Sequence, residues 1–200
     1  MKRFFNINIL LAVFLFSFYG TAFGLSEAYK NNIYNPGILK PIDSTLKVKV
    51  GETAPGFILP SISGKKISLS QFAGKKNVVI SFVPAAWTPV CSDQWPGYNI
   101  SKSFFDENDA ILLGITVDNI PTLHTWTKQM GKIWFIVLSD FWPHGAVSSR
   151  YGVLRSDGVS ERALFVINKD GIIQYIHVED INVRPKLENL VMELEKLNKK

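Results

Sequence analysis

The chain has 200 residues, 46% of them apolar and 20% charged, which suits one globular domain able to bury its own core. Its net charge of +5 is carried by scattered cations, many of them Lys-Lys pairs at turns, and so gives no basis for a nucleic-acid partner. The single cysteine excludes an internal disulfide framework and leaves one thiol to be explained.

Taken in chain order, residues 1–24 read as a secretory signal. Lys2 and Arg3 precede an uncharged run over 4–26, densest in apolar residues over 7–18. Ala22-Phe23-Gly24 then places small residues where a signal peptidase reads them. The alternative is an uncleaved anchor, because the run approaches the ~20 residues that span a bilayer. Either reading predicts an exported protein, periplasmic or extracellular, tethered in the second case. Cleavage would remove two cations and no carboxylate, leaving +3. Residues 25–45 are polar, carry Pro36-Gly37 and Pro41, and lack a period; they predict a linker or loosely attached lead-in to a domain over 46–200.

Alternation over 46–50 predicts a strand, and Gly64-Lys65-Lys66 before Ile67 predicts a small hairpin. Ser70 is expected to cap a short helical turn that Gly74 ends. Continuous apolar runs over 78–83, 111–117, 135–138 and 163–167 predict strands buried on both faces. The turn signal Asn168-Lys169-Asp170-Gly171 returns the chain into a fifth strand over 172–178. Helices are expected at about 89–107, 121–130 and 144–151. After Pro185, Leu187, Leu190, Val191, Leu194 and Leu197 fall at helical spacing. The order predicts an α/β domain, a mixed central sheet with helices on both faces.

The lone Cys91 sits in SFVPAAWTPVCSDQWPG (81–97), just after the first core strand. Thr88 suits an N-cap and Pro89 a first helical residue, so Cys91 falls in the first turn of a helix. Unpaired backbone N–H groups and the positive end of the helix dipole lie there and stabilise a thiolate. The plainer reading of Cys91 is a small apolar core residue.

The spacing Pro84, Thr88, Cys91 resembles the Pro-x-x-x-Thr-x-x-Cys motif of the peroxiredoxins, the alkyl hydroperoxide reductase and thiol-specific antioxidant superfamily. VGETAPGFILP (50–60), GKKISLSQFAGKKNVVISFVP and SERALFVINKDGIIQYIHV extend the similarity, and LSDFWPHGAVSSRYGV (138–153) resembles the one-cysteine, alkyl hydroperoxide reductase E type. The resemblance spans about 46–198. It implies a thioredoxin-like fold and a thiol peroxidase with no metal or organic cofactor. Cys91 would attack a hydroperoxide and Thr88 would hydrogen-bond the thiolate and the peroxide. Pro84 would shield the site. Arg162 would hold the thiolate and orient the peroxide, with the N–H groups of Val90 and Cys91 stabilising charge on oxygen. Many relatives carry glutamate three residues after the cysteine; here Gln94 stands there and could still accept a hydrogen bond. Trp95-Pro96 is expected to bend the helix or reshape the pocket rim.

An external thiol, small or protein-borne like thioredoxin or glutaredoxin, would have to complete the cycle, and a homodimer is expected. The alternatives are a thioredoxin-fold disulfide oxidoreductase, which needs a cysteine where Thr88 stands, and a non-catalytic, holdase-like module. His124, His144 and His177 share no metal-ligand spacing, and His144 is expected to order a loop near the pocket or a dimer interface. Asp118 and Asp140, at strand ends, are expected to form turns or caps. Trp134, Phe135, Phe141 and Trp142 are expected in the core or a subunit interface.

Overall fold

The computed structural model describes residues 27–198, so the expected leader lies outside the described residues. Among those described, no helix is long and apolar enough to cross a membrane. A short helix α1 (Glu27–Asn31) and a hairpin of β1 (Ile58–Pro60) and β2 (Lys66–Ser68) come first. The central sheet follows, built from β3 (Asn77–Phe82), β4 (Ala110–Thr116), β5 (Ile136–Ser139), β6 (Ala163–Ile167) and β7 (Ile173–Val178). Between and after these strands run α2 (Pro89–Gly97), α3 (Lys102–Glu107), α4 (Ile120–Gln129), α5 (Ala146–Tyr151) and α6 (Leu187–Asn198).

The sheet order is β5-β4-β3-β6-β7. β3, β4 and β5 pair in parallel, whereas β6 is antiparallel to both β3 and β7. The mixed sheet expected from the apolar runs is thus the one observed. Every residue of the central strand β3 is buried, because both sheet faces are covered. Val78, Ile80 and Phe82 point into one core with the β1–β2 hairpin and α5 (Val147, Tyr151). Val79 points into the other, with Trp95 of α2, Phe105 of α3, Trp126 of α4, and Leu190 and Leu194 of α6. Ser81 shares parity with Val79 and therefore faces α2, which matters below. Gly114 on β4 is required there: a Cβ would lie 2.7 Å from Trp95 Cζ2.

Four expectations need correction. The helix expected over 89–107 is divided into α2, a 3₁₀ turn (Tyr98–Ser101) and α3. Pro96 lacks the N–H that would continue the ladder. Residues 46–50 form no strand; they cross the end of α5, with Lys47 N–H bonded to Tyr151 O at 3.2 Å. Gly152 makes room for this crossing, since a Cβ there would fall 2.3 Å from Lys47 N. The turn Leu69–Phe72 is capped by Ser68, whose hydroxyl accepts from Ser70 N.

The fourth correction concerns the segment expected to be a loose lead-in, whose described residues, from Glu27 on, are tied down at several points. Tyr29 of α1 is fully buried and meets the Trp87 ring at a 44° tilt, 5.8 Å between centroids. Tyr34 N–H donates to Trp87 O at 2.8 Å, and Leu39 exchanges two hydrogen bonds with the Asn182 side chain, at 2.9 and 2.8 Å. Asp43 receives Ser156 N–H at 2.9 Å and gives its own N–H to Glu161 at 2.6 Å.

Candidate active site

β3 ends at Phe82, and the chain turns through residues 83–88 into α2. Thr88 has the extended backbone of an N-cap, and its carbonyl accepts the first helical bond, from Ser92 N–H at 2.9 Å. Its side chain does not cap the helix. The hydroxyl instead donates to Ala85 O at 2.9 Å, closing a tight loop over residues 85–88. The lone pairs of that oxygen are left to accept from a ligand. Val90 and Cys91 contribute N–H groups that precede the first helical bond, as expected of the first turn.

The loop is held by three further contacts. Ala86 N–H donates to the Asp118 carboxylate at 2.8 Å, and Asp118 is itself bonded by Thr116 and set by Ser139 Oγ on its carbonyl at 2.6 Å. Trp87 adopts a φ of 61°, a left-handed conformation that costs a non-glycine residue on the order of 1–2 kcal/mol. The Tyr29 ring and the Tyr34 N–H bond described above stabilise it there.

Cys91 Sγ is fully buried, and Arg162 is its charged neighbour. Arg162 Nη1 and Nη2 each lie 3.6 Å from the sulfur. Nη1 also donates to Gln94 Oε1 at 2.7 Å, and Nε donates to Ile181 O at 3.0 Å. The arginine is therefore clamped on two sides while its fork faces the thiol. A unit positive charge at this distance attracts a thiolate by on the order of 4 kcal/mol at an effective dielectric near 20, before desolvation is counted. Among the described residues, no carboxylate forms an ion pair with Arg162.

Gln94 can play its part because of what lies behind it. Its amide nitrogen donates to Tyr98 Oη at 2.8 Å and Ser81 Oγ at 3.3 Å, which turns Oε1 toward the arginine. Burial holds the Tyr98 phenol above its usual range, so it remains a neutral acceptor for this amide. The structure thus places Cys91, Thr88, Pro84 and Arg162 around one centre. An open cleft of about 590 Å³ reaches Pro84, Thr88 and Arg162, lined on this side also by Ala85, Pro89 and Val90, with Cys91 buried behind it.

The AhpC/TSA family model matches residues 50–176, which include the whole of this centre. The chain belongs to the AhpC/TSA family. Alkyl hydroperoxide reductase E of Mycobacterium tuberculosis is 37% identical over 133 residues, 66% of this chain and 86% of that protein. A chloroplastic 2-cysteine peroxiredoxin of Chattonella marina var. antiqua is 32% identical over 146 residues, 68% of this chain and 74% of that one. Among solved structures, the reduced 2-Cys peroxiredoxin of Plasmodium vivax superposes with a TM-score of 0.71 at 28% identity, covering 76% of this chain and 83% of that one. The thioredoxin-like peroxiredoxin fold expected from the motifs is therefore the fold of this AhpC/TSA chain.

The remaining singled-out residues lie outside the centre. Trp95 turns away from the cleft into the core, 4.8 Å from the Trp126 ring, so it shapes the packing of α2 rather than the pocket rim. His144 bonds Gly158 O at 2.6 Å and joins two loops. His177 lies on β7 beside Tyr175, and His124 lies on α4. Asp140 caps α5, accepting Val147 N–H at 3.0 Å and Ser148 N–H at 2.8 Å; burial pushes its carboxyl above the ordinary range. Sequence reasoning missed Ser81, Tyr98 and Ile181. Ser81 did carry a signal, as a polar residue inside a buried apolar run, and Tyr98 lies one helical turn after Gln94.

Proposed function

We propose that Cys91 is the peroxidatic nucleophile of this thiol peroxidase, which reduces hydrogen peroxide or organic hydroperoxides. The observation that carries the reading is the Arg162 guanidinium, held by Gln94 and Ile181 with both terminal nitrogens 3.6 Å from Cys91 Sγ. A buried thiol packed only as an apolar residue would gain nothing from a desolvated cation beside it.

The chemistry follows from the groups present. The thiolate lone pair attacks the terminal oxygen of ROOH, an S–O bond forms, and the O–O bond breaks. The departing RO⁻ takes a proton from solvent and leaves as alcohol, or as water when the substrate is hydrogen peroxide. Cys91 becomes a sulfenic acid. Arg162 and the N–H groups of Val90 and Cys91 supply positive charge where negative charge moves onto oxygen. Thr88, its proton committed to Ala85 O, accepts from the peroxide O–H and orients it. This differs from the expectation that Thr88 would also bond the thiolate. Pro84 closes the cleft wall beside the loop.

The sequence holds one cysteine, so the sulfenic acid is reduced from outside the chain. One external thiol condenses with it, releasing water and forming a mixed disulfide. A second thiol then frees Cys91 and leaves as the oxidised disulfide. Exposed Phe141 and Trp142 support a homodimer, and the basic, apolar start of the chain supports work outside the cytoplasm. A disulfide oxidoreductase reading is disfavoured because position 88 is threonine. Stopped-flow peroxide consumption tests the proposal: Cys91→Ser is expected to reduce turnover to the uncatalysed level. A Cys91→Ser variant as active as the parent would sink it.

A further inference from the structure

The catalytic loop forms only one wall of the cleft. Another is residues 34–39, part of the amino-terminal segment tied across the domain, and it lies upstream of the family match at 50–176. This strap contains no regular element; Pro36 stiffens it and Gly37 turns it with a φ of 78°. Its position is set from both ends by groups that also build the centre. Tyr34 N–H bonds the carbonyl of Trp87, next to Thr88. At the other end Pro41 O accepts from Ile181 N–H at 3.0 Å, while Ile181 O holds Arg162 Nε. The strap is thus one residue removed from the arginine that faces the sulfur.

Size and chemistry indicate what this wall is for. Hydrogen peroxide fills about the space of two waters, roughly 60 Å³, against a cleft of about 590 Å³. Beyond Thr88 and Arg162 the surface is mostly apolar: Pro36, Ile38 and Leu39 face the cleft from the strap, Val90, Val159 and Ile181 line it elsewhere, and Asn35, Asp157 and Asn182 are its polar members. Ile38 is 94% exposed in an otherwise anchored segment, so its side chain is free to meet a ligand in the cleft. The peroxide group must sit between Thr88 and Arg162, which leaves the strap side for whatever is attached to it.

We propose that residues 34–39 form a specificity subsite, with Ile38 and Leu39 receiving the apolar group of an organic hydroperoxide. The proposal rests on the peroxidase reading above. It makes the amino-terminal strap a determinant of substrate choice, selecting a bulky, uncharged R group through the apolar area that R buries against the strap. Hydrogen peroxide has no such group and gains nothing from it.

The test uses the full chain, with cumene hydroperoxide and hydrogen peroxide as paired substrates. Ile38→Ser is expected to lower the ratio of their kcat/KM values, cumene over hydrogen, by roughly tenfold. Ile58→Ser, an exposed aliphatic change on β1, should leave the ratio unmoved. 2-Phenyl-2-propanol, the alcohol product without a peroxide bond, should inhibit the parent competitively and lose most of that inhibition in Ile38→Ser. An active parent whose ratio does not move in Ile38→Ser overturns this proposal alone. A parent inactive on both peroxides removes the peroxidase reading and the subsite with it.

Discussion

Two buried arginines, Arg155 and Arg162, differ in what faces them. Arg155 meets a carboxylate: its Nη1 lies 2.8 Å from Glu161 Oε2, and Glu161 is itself fully buried. Desolvation pulls the Arg155 guanidinium down, but the hydrogen bonds and charges of Glu161 and then Asp157 outweigh it and the net shift is upward. Asp157 adds a second carboxylate 3.3 Å from Arg155 Nε, so the charge is fully answered, and the cluster ties the strap down through Lys40 O on Arg155 and Asp43 N–H on Glu161. Arg162 meets dipoles instead, the Gln94 and Ile181 carbonyls, together with the Cys91 sulfur. Its charge has no carboxylate to answer it, and its fork faces the sulfur instead. A buried arginine whose neighbours leave its charge open is a functional group; one already neutralised is a fastener.

The largest expected effects separate the two. Arg155→Met leaves the buried Glu161 carboxylate without its cation, with only the Asp43 N–H still bonded to it, and should destabilise the fold by about 3–5 kcal/mol, read as a shift in denaturant midpoint. Arg162→Met strands no carboxylate and should cost much less stability. Its penalty should fall on chemistry, a loss of about 10²–10³ in kcat/KM for peroxide in stopped flow. If Arg162→Met unfolds the protein as readily as Arg155→Met while leaving turnover intact, the distinction fails.

Gln94→Glu sharpens the same comparison with a smaller effect. A carboxylate at that position would pair with Arg162 as Glu161 pairs with Arg155, and would add a negative charge near the sulfur. Peroxide consumption and iodoacetamide alkylation of Cys91 should both slow by about tenfold. Unchanged alkylation would show that the neutral amide is not what leaves the arginine available.

The smallest effect belongs to an exposed ion cluster. Hydrogen bonds from Lys169 and Lys76 lower the Asp109 carboxyl from 3.8 to about 2. The folded value is below the unfolded one, so this stabilisation is present above about pH 4 and is lost as pH falls through about 2. Asp109→Asn should therefore shift the denaturant midpoint slightly at pH 6, with the difference closing near pH 2. A difference that stays constant across that range would contradict the assignment.

The strands of the central sheet were legible because burial on both faces writes a continuous apolar run. Asn77–Phe82, Ala110–Thr116 and Ala163–Ile167 all fall within a residue or so of those runs. Thr88 and Pro89 similarly marked the start of α2, because N-terminal helix chemistry is local. Failures came where a local pattern had a distant partner. The alternation over 46–50 read as a strand, but the segment found the end of α5 instead of a ladder. Thr88 read as a side-chain cap, but its hydroxyl found Ala85 O. Residues 25–45 read as slack because the partners of Tyr34, Leu39 and Asp43, namely Trp87, Asn182, Ser156 and Glu161, are remote in the chain and leave no period behind.

The sequence by itself determined the sheet, the position of Cys91 in a first helical turn, and the family to which its motif points. Each of these depends on residues close together in the chain, where side-chain periodicity and capping preferences act. Only the tertiary structure decided that Gln94 turns its carbonyl to Arg162, that Ile181 holds both that arginine and the strap, and that a polar lead-in becomes a wall of the cleft at Thr88 and Arg162. These depend on hydrogen bonds between groups far apart in the chain, whose partners are chosen by the packing of the whole domain.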